Sequence, residues 1–243
     1  MKPPIRKTTR PAPERLGIFG NLKYDMTVPE ELAVEARVQR ESWGARRPVW
    51  IAASTHEGEE MPVLKAHAQV LRQFPDALLL LAPRHPERFK PVAMACRNFG
   101  FVTRTRSEDG AAAIDTQCFV VDTLGELLRF YATADVAFVG GSLVPIGGHN
   151  VLEPAALAVP VIVGSQTFNF TEITANLIDS GAALRIEEGD ELSATVIKLL
   201  ADPALRERTG AAARAAFERE QGGVLRTIAI VEKVLDEGTH AET

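Results

Sequence analysis

Imidazole, guanidinium and carboxylate side chains gather in a few short stretches of this sequence, interleaved with glycine. The stretches are Ser54-Thr55-His56-Glu57-Gly58-Glu59-Glu60, Pro83-Arg84-His85-Pro86-Glu87-Arg88, Asp122-Thr123-Leu124-Gly125-Glu126, Gly140-Gly141-Ser142 and Gly147-Gly148-His149-Asn150-Val151-Leu152-Glu153-Pro154. In the last of these, small residues lead directly into a helical segment. Backbone can approach a ligand closely there, and unpaired amides with the helix dipole favour a phosphate. Glu153, one turn in, is placed to accept hydrogen bonds from ribose hydroxyls. The same residues read equally well as local structure, with Asn150 as an N-cap and Glu153 as its capping-box partner. Arg84 is a bidentate donor suited to phosphate or carboxylate, or else one half of a surface ion pair with Glu87. His85 reads alternatively as a helix-entry residue before Pro86.

Other chemistries lack their residues. His56-Glu57-Gly58-Glu59-Glu60 has Glu where the zinc motif H-E-x-x-H needs its second histidine, so no metal site is expected. No G-x-S-x-G elbow supports Ser54 or Ser142 as a nucleophile. Neither G-x-G-x-x-G nor G-x-x-x-x-G-K-[ST] occurs. Cys96 and Cys118 lack CxxC spacing and read as buried apolar residues of a reducing compartment.

The elements that must carry these stretches follow from periodicity. Short β-type runs are expected at Val49–Ala53, Leu78–Ala82, Phe101–Thr105, Cys118–Val121, Val136–Val139 and Val161–Val163, with Leu16–Gly20 as a first extended piece. Helices are expected at Glu30–Trp43, Glu59–Phe74, Pro86–Gly100, Gly125–Ala134, His149–Ala158 and Thr171–Ser180, then from Asp190 to about Asp236. Arg106–Gly110 reads as a polar loop. The Gly44–Arg47 turn and the charges beyond Asp190 read as solvated surface. This alternation predicts an α/β fold, a Rossmann-like parallel sheet with helices on both faces. In such a sheet ligands bind beyond the carboxyl ends of the strands, where all of the stretches above fall.

Composition narrows the classes further. The 243 residues are 46% hydrophobic and 24% charged with a net charge of −5, which excludes a disordered chain and a nucleic-acid binder held by phosphate neutralisation. Residues 1–15 carry five basic residues, one acidic residue and four prolines. They read as a solvated tail or linker, the alternative being a peripheral contact with an anionic membrane surface. Residues 16–243 form one domain. No apolar run reaches the roughly 20 residues of a membrane-spanning helix, and no signal peptide is apparent, so the expected location is cytoplasmic.

In sequence order, Gly20-Asn21-Leu22-Lys23-Tyr24-Asp25, Pro83-Arg84-His85-Pro86-Glu87-Arg88-Phe89, Phe138-Val139-Gly140-Gly141-Ser142, Gly147 to Pro154 and Thr167-Phe168-Asn169-Phe170 resemble 3-deoxy-D-manno-octulosonic acid (Kdo) transferases. The likeness runs from about Leu16 to the C-terminal helices; Ser165-Gln166 stand where the family usually carries Pro-His. It implies one lobe of a GT-B glycosyltransferase, the donor-binding half. Such an enzyme is inverting and transfers Kdo from CMP-Kdo to a lipid A precursor in lipopolysaccharide synthesis, without metal or cofactor, at the cytoplasmic face of the inner membrane. By that resemblance Pro83 and Arg84 hold the CMP phosphate or the cytosine edge. Leu124, Gly125 and Glu126 contact the nucleotide, and Asn150, Val151, Leu152 and Glu153 meet the phosphate and ribose. The family's general base and acceptor site lie in a first lobe that would precede Leu16, so no catalytic residue is expected in this chain and the chain alone is expected to be inactive. Two other readings remain open: a non-catalytic nucleotide-binding module derived from such a lobe, and a GT-B lobe that uses a UDP-sugar.

Overall fold

In a computed structural model, residues 22–240 are described, with side chains to residue 232. The stretch 1–15, the extended segment expected at Leu16–Gly20 and the Gly20-Asn21 start of the first motif lie outside the described residues. Contacts divide the described residues into two compact units, one of residues 27–219 and the other of residues 22–26 together with those from 220 to 240.

The larger unit is a seven-stranded parallel sheet with helices on both faces. It contains α1 (Leu32–Trp43), β1 (Val49–Thr55), α2 (Glu60–Gln73), β2 (Leu78–Pro83), α3 (Pro86–Asn98) and β3 (Thr103–Thr105). Next come α4 (Arg106–Asp109), β4 (Cys118–Val120), α5 (Leu127–Thr133), β5 (Val136–Val139), α6 (Leu152–Ala156), β6 (Val161–Val163), α7 (Thr171–Asp179), β7 (Ala183–Arg185), α8 (Glu191–Ala201) and α9 (Pro203–Glu220). The strand order is β3-β4-β2-β1-β5-β6-β7, and every pairing is parallel.

Why the middle strands are central is written in their side chains. Leu78 to Pro83 are all buried, as a strand covered on both faces requires. Alternate residues feed two separate cores. Trp50, Ala52, Leu79, Leu81 and Phe138 pack with Val63, Leu64 and Val70 of α2 and Val196 and Leu199 of α8. Val49, Ile51, Leu78, Leu80 and Phe119 pack on the opposite face with Trp43 of α1 and Phe130 and Tyr131 of α5. The chain builds outward from β1 through β2 to β3, then returns to place β5 on the other flank of β1. That reversal opens a crevice between the carboxyl ends of β1 and β5, where Ala53 pairs with Val139.

Several expectations are corrected. Arg106–Gly110 contains a helical turn rather than a loop: Thr105 caps it, its Oγ1 accepting from the Glu108 amide at 3.3 Å. Strand β7 is present where none was expected. The helix expected from His149 to Ala158 is only Leu152–Ala156. It starts late because Gly147 and Gly148 have φ of 102° and 78°, and Asn150 forms a turn on itself, its Oδ1 accepting from the Leu152 amide at 3.1 Å. It ends early because Ala158 adopts φ 56° ahead of Pro160.

Arg47 is the clearest correction. It is not solvated surface but buried, and its guanidinium donates to the carbonyls of Asp76, Ala113 and Thr116. Five fixed donors let one side chain tie the ends of three loops beneath the sheet. Cys96 and Cys118 are buried free thiols with Sγ atoms 3.3 Å apart.

In the smaller unit a 3-10 turn (Leu22–Tyr24) is followed by Asp25, whose carboxylate accepts from the amides of Gly222 and Val224 at the start of α10 (Gly223–His240). Those two amides hold the Asp25 carboxyl below its ordinary pKa. The Leu22-Lys23-Tyr24-Asp25 part of the first motif thus caps a helix.

Candidate functional site at the β1–β5 crevice

The crevice is built by the loops after β1, β2, β4 and β5, and one buried carboxylate joins two of them. Glu59, fully buried, accepts the amides of Gly141 at 2.7 Å and His56 at 2.9 Å on Oε2, and those of Leu143 at 2.9 Å and Ser142 at 3.0 Å on Oε1. The Gly-Gly-Ser amides therefore bind an internal carboxylate. The fit demands glycine at position 140, where a Cβ would lie 2.7 Å from the Ser54 carbonyl and 2.8 Å from Glu59 Oε2. Ser142 Oγ adds a link onward, donating to the Val139 carbonyl at 2.6 Å and accepting from the Gly164 amide at 2.9 Å.

Above this knot the two loops meet through histidines. The Nε2 atoms of His56 and His149 are 2.7 Å apart, the rings are parallel within 3°, and their centroids are 4.9 Å apart. The centroid distance exceeds the nitrogen distance by about one ring width, so the imidazoles meet end to end and share an N–H···N hydrogen bond. His85 approaches His56 edge-on, with centroids 5.1 Å apart. Burial, then the neighbouring charge of His56, Arg84 and His85, lowers the pKa of His149 to about 4; burial also lowers that of His56, against the pull of Glu59. Among the described residues, no group of three or more His, Cys, Asp or Glu side chains is arranged to hold a metal ion.

Each expected site residue has a definite place. Pro83, Arg84, Leu124 and Gly125 line one small cavity of about 110 Å³ at the ends of β2 and β4, together with Ser54 and Thr123. That volume is well below the roughly 300–1,000 Å³ of a complete small-molecule site, so the cavity has room for only part of such a ligand. Arg84 is exposed, its amide fixed on the Thr55 carbonyl at 3.0 Å, and its charge acts on His56, His149 and Glu153 rather than pairing with Glu87. Glu153 is half-buried, and burial raises its carboxyl pKa against the opposing pull of the Asn150 amide, 3.0 Å away, and of Arg84. The expected capping box is not formed: Val151 stands at the N-cap without a side-chain cap, and Asn150 and Glu153 bond each other side chain to side chain instead. Val151 and Leu152 are buried, and the Leu152 amide is taken up by Asn150 Oδ1.

Glu126 is already engaged. Its carboxylate takes two bonds from Arg106, at 2.7 and 3.0 Å, and one from Thr123 Oγ1 at 2.5 Å, and the Arg106 bonds hold its pKa down at about 2. It shapes the β4–α5 turn as an ion-paired anchor. A cavity of about 680 Å³ lies elsewhere, in an open groove between α2 and α8 beside Lys65, Arg72 and Lys198, and contains none of the strand-end residues. The chemistry-bearing side chains decide in favour of the crevice.

Sequence reading missed Glu59 and His56 as site builders. The acidic pair Glu59-Glu60 looked like an ordinary helix first turn, and three of the four amides that Glu59 accepts lie more than eighty positions away, which no spacing encodes.

A family model for glycosyl transferases group 1 matches residues 63–216. The chain is 42% identical over 224 residues to the 3-deoxy-D-manno-octulosonic acid transferase of Haemophilus influenzae, covering 92% of this chain and 52% of that protein. It is 39% identical to the Bordetella pertussis protein of the same name, covering 88% and 51%. The chain thus spans about half the length of the curated relatives it matches. Among solved structures, the C-terminal CMP-Kdo binding domain of WaaA from Acinetobacter baumannii superposes with a TM-score of 0.74 at 36% identity, over 77% of this chain and 98% of that one. The C-terminal domain of the Francisella tularensis group 1 protein LpcC superposes with a TM-score of 0.52 at 14% identity, a likeness of fold alone.

Proposed function

This chain belongs to the group 1 glycosyl transferases, and from that membership we propose that it is the donor-binding lobe of a Kdo transferase, taking CMP-Kdo. The observation that supports this most is the meeting of His85, His56 and His149, which brings the Arg84-His85 loop together with the segment that opens at His149, while Arg84 itself lines a cavity with Pro83, Leu124 and Gly125. The likeness to a domain described as binding CMP-Kdo points to the same ligand.

In this reading the cytosine end enters the cavity by Leu124 and Gly125. Arg84 meets the phosphate or the cytosine edge, and Glu153 accepts from ribose hydroxyls. Val151 and Leu152, both buried, hold the Asn150–Glu153 segment in place behind the ligand. Transfer breaks the bond between the anomeric carbon of Kdo and the phosphate oxygen, and the electron pair leaves with CMP. Negative charge then grows on the phosphate while the sugar gains oxocarbenium character. A guanidinium held at that phosphate stabilises the transition state more than the ground state. The acceptor, a lipid A precursor, and the base that takes its proton belong to the part of the enzyme beyond this lobe, which we place at the cytoplasmic face of the inner membrane.

The test is a nucleotide competition. Calorimetric titration of the chain with CMP is expected to saturate, and UDP is expected to bind more weakly. UDP binding tighter than CMP would reassign the lobe to a UDP-sugar, and no saturation with either at millimolar nucleotide would remove the donor reading.

A further inference from the structure

The His56–His149 pair has a chemical capacity that the donor reading above does not use. Two imidazoles joined Nε2 to Nε2 hold one hydrogen between them, so the accepting ring is neutral and the free Nδ1 of the donating ring remains able to take a proton. Protonation there keeps the N–H···N bond and converts it to a charge-assisted one. We propose that this pair is an anion subsite that takes up a proton when an anionic oxygen of the donor binds beside it, the donor being the nucleotide-activated acid sugar of the preceding section.

The surroundings explain why the proton waits for the ligand. The charges around the pair come from four loops. From the β2–α3 loop, Arg84 and His85 oppose protonation of both rings. From the β1–α2 loop, Glu59 favours it at His56, but both Glu59 oxygens are committed to backbone amides; Glu57 there is exposed and 3.9 Å from Arg88. From the β5–α6 segment, Glu153 is tied to Asn150. From the β4–α5 turn, Glu126 is spent on Arg106. Half-buried beside Arg84 and His85, the pair rests neutral near pH 7. An arriving anion supplies the missing countercharge and reverses the sign of the local field. The pair's proton affinity then rises, and binding and proton uptake are linked. The anion is the phosphodiester or the carboxylate of the sugar; both present the same oxygens.

Calorimetry in buffers of different ionisation enthalpy, between about pH 5.5 and 8, counts the protons. Two probes separate the sources: the methyl ester of CMP, whose phosphodiester does not titrate in that range, and free Kdo, which carries only the carboxylate. Uptake of up to about one proton is expected, with affinity rising by up to about tenfold per pH unit on acidification. Uptake with the methyl ester assigns the subsite to the phosphate, and uptake with Kdo alone assigns it to the carboxylate. His149→Asn should abolish the uptake. Nitrogen-15 spectra of the histidine rings in the unsubstituted chain read the same event independently of any folding defect in the variant, as an imidazolium signal that appears with ligand. Nucleotide binding with no proton uptake in either titration overturns the subsite and leaves the donor reading intact. Binding of neither probe overturns both.

Discussion

The carboxylate of Glu59, at the entry to α2, accepts the backbone amide of Ser142 at 3.0 Å, on the far side of the β1–β5 crevice. With the amides of Gly141, Leu143 and His56 it completes a cradle of four donors around one buried charge. The loops that rim the crevice are thereby set by an internal carboxylate. Because the residues that hold the rims are distinct from those that face the ligand, stability and affinity can be tested separately.

Replacing Glu59 by Ala leaves four buried or half-buried amides without their acceptor. Charged hydrogen bonds of this kind contribute about 1.5–3 kcal/mol each, and the unmet donors remain buried, so Glu59→Ala should lose about 3 kcal/mol or more of stability in urea unfolding. Glu59→Gln keeps one acceptor oxygen and should recover part of that loss. Equal stability of Glu59→Ala and the unsubstituted chain would show that the cradle carries no weight.

Arg47→Ala removes the donors from three carbonyls beneath the sheet. A loss of about 3 kcal/mol is expected, or a fall in melting temperature of roughly 6–12 °C for a unit of this size, with no change in nucleotide affinity. Arg47→Lys should recover little, since one ammonium cannot span three acceptors in a fixed plane. A thermal melt decides.

His67, fully buried, accepts from Trp50 Nε1 at 3.1 Å on Nδ1 and meets the Gln117 carbonyl at 2.8 Å through Nε2. This ring is neutral, with its hydrogen on Nε2, and burial lowers its pKa to about 3. A folded pKa depressed below the ordinary 6.5 means that the unfolded chain binds the proton first as pH falls. The stabilisation is therefore complete above pH 6.5 and is lost progressively toward pH 3. Between pH 6.5 and 4 the loss attributable to His67 should approach about 3 kcal/mol, and His67→Gln should flatten that part of the pH–stability curve.

How far the sequence revealed this arrangement depends on the range of each interaction. The Leu78–Leu81 run announced a strand covered on both faces, and the 3.6-residue periodicity of Val63, Leu64, Val70 and Leu71 announced α2, because both signals are local. The strand β7, Ala183–Arg185, is only partly buried and ends in a charge, so it lacks the apolar run that marked the equally short β6. The helix expected at His149 was overdrawn because Asn150 spends its side chain on the Leu152 amide and turns the chain before helix begins. Arg47 looked like solvated surface and Glu59 like part of a helix first turn, since what buries them is backbone far away in the chain. Among the site residues, the grouping of Pro83, Arg84, Leu124 and Gly125 was legible from strand ends alone, whereas the engagement of Glu126 by Arg106 was not.

The central claim is that Arg84 and Glu153 face one nucleotide from two loops, and the most direct measurement is CMP affinity in Arg84→Ala and Glu153→Ala by calorimetry. Each lost charge-assisted hydrogen bond should cost about 2 kcal/mol, raising Kd about 30-fold, while both variants keep the melting temperature of the unsubstituted chain. Unchanged CMP affinity in both folded variants would contradict the account.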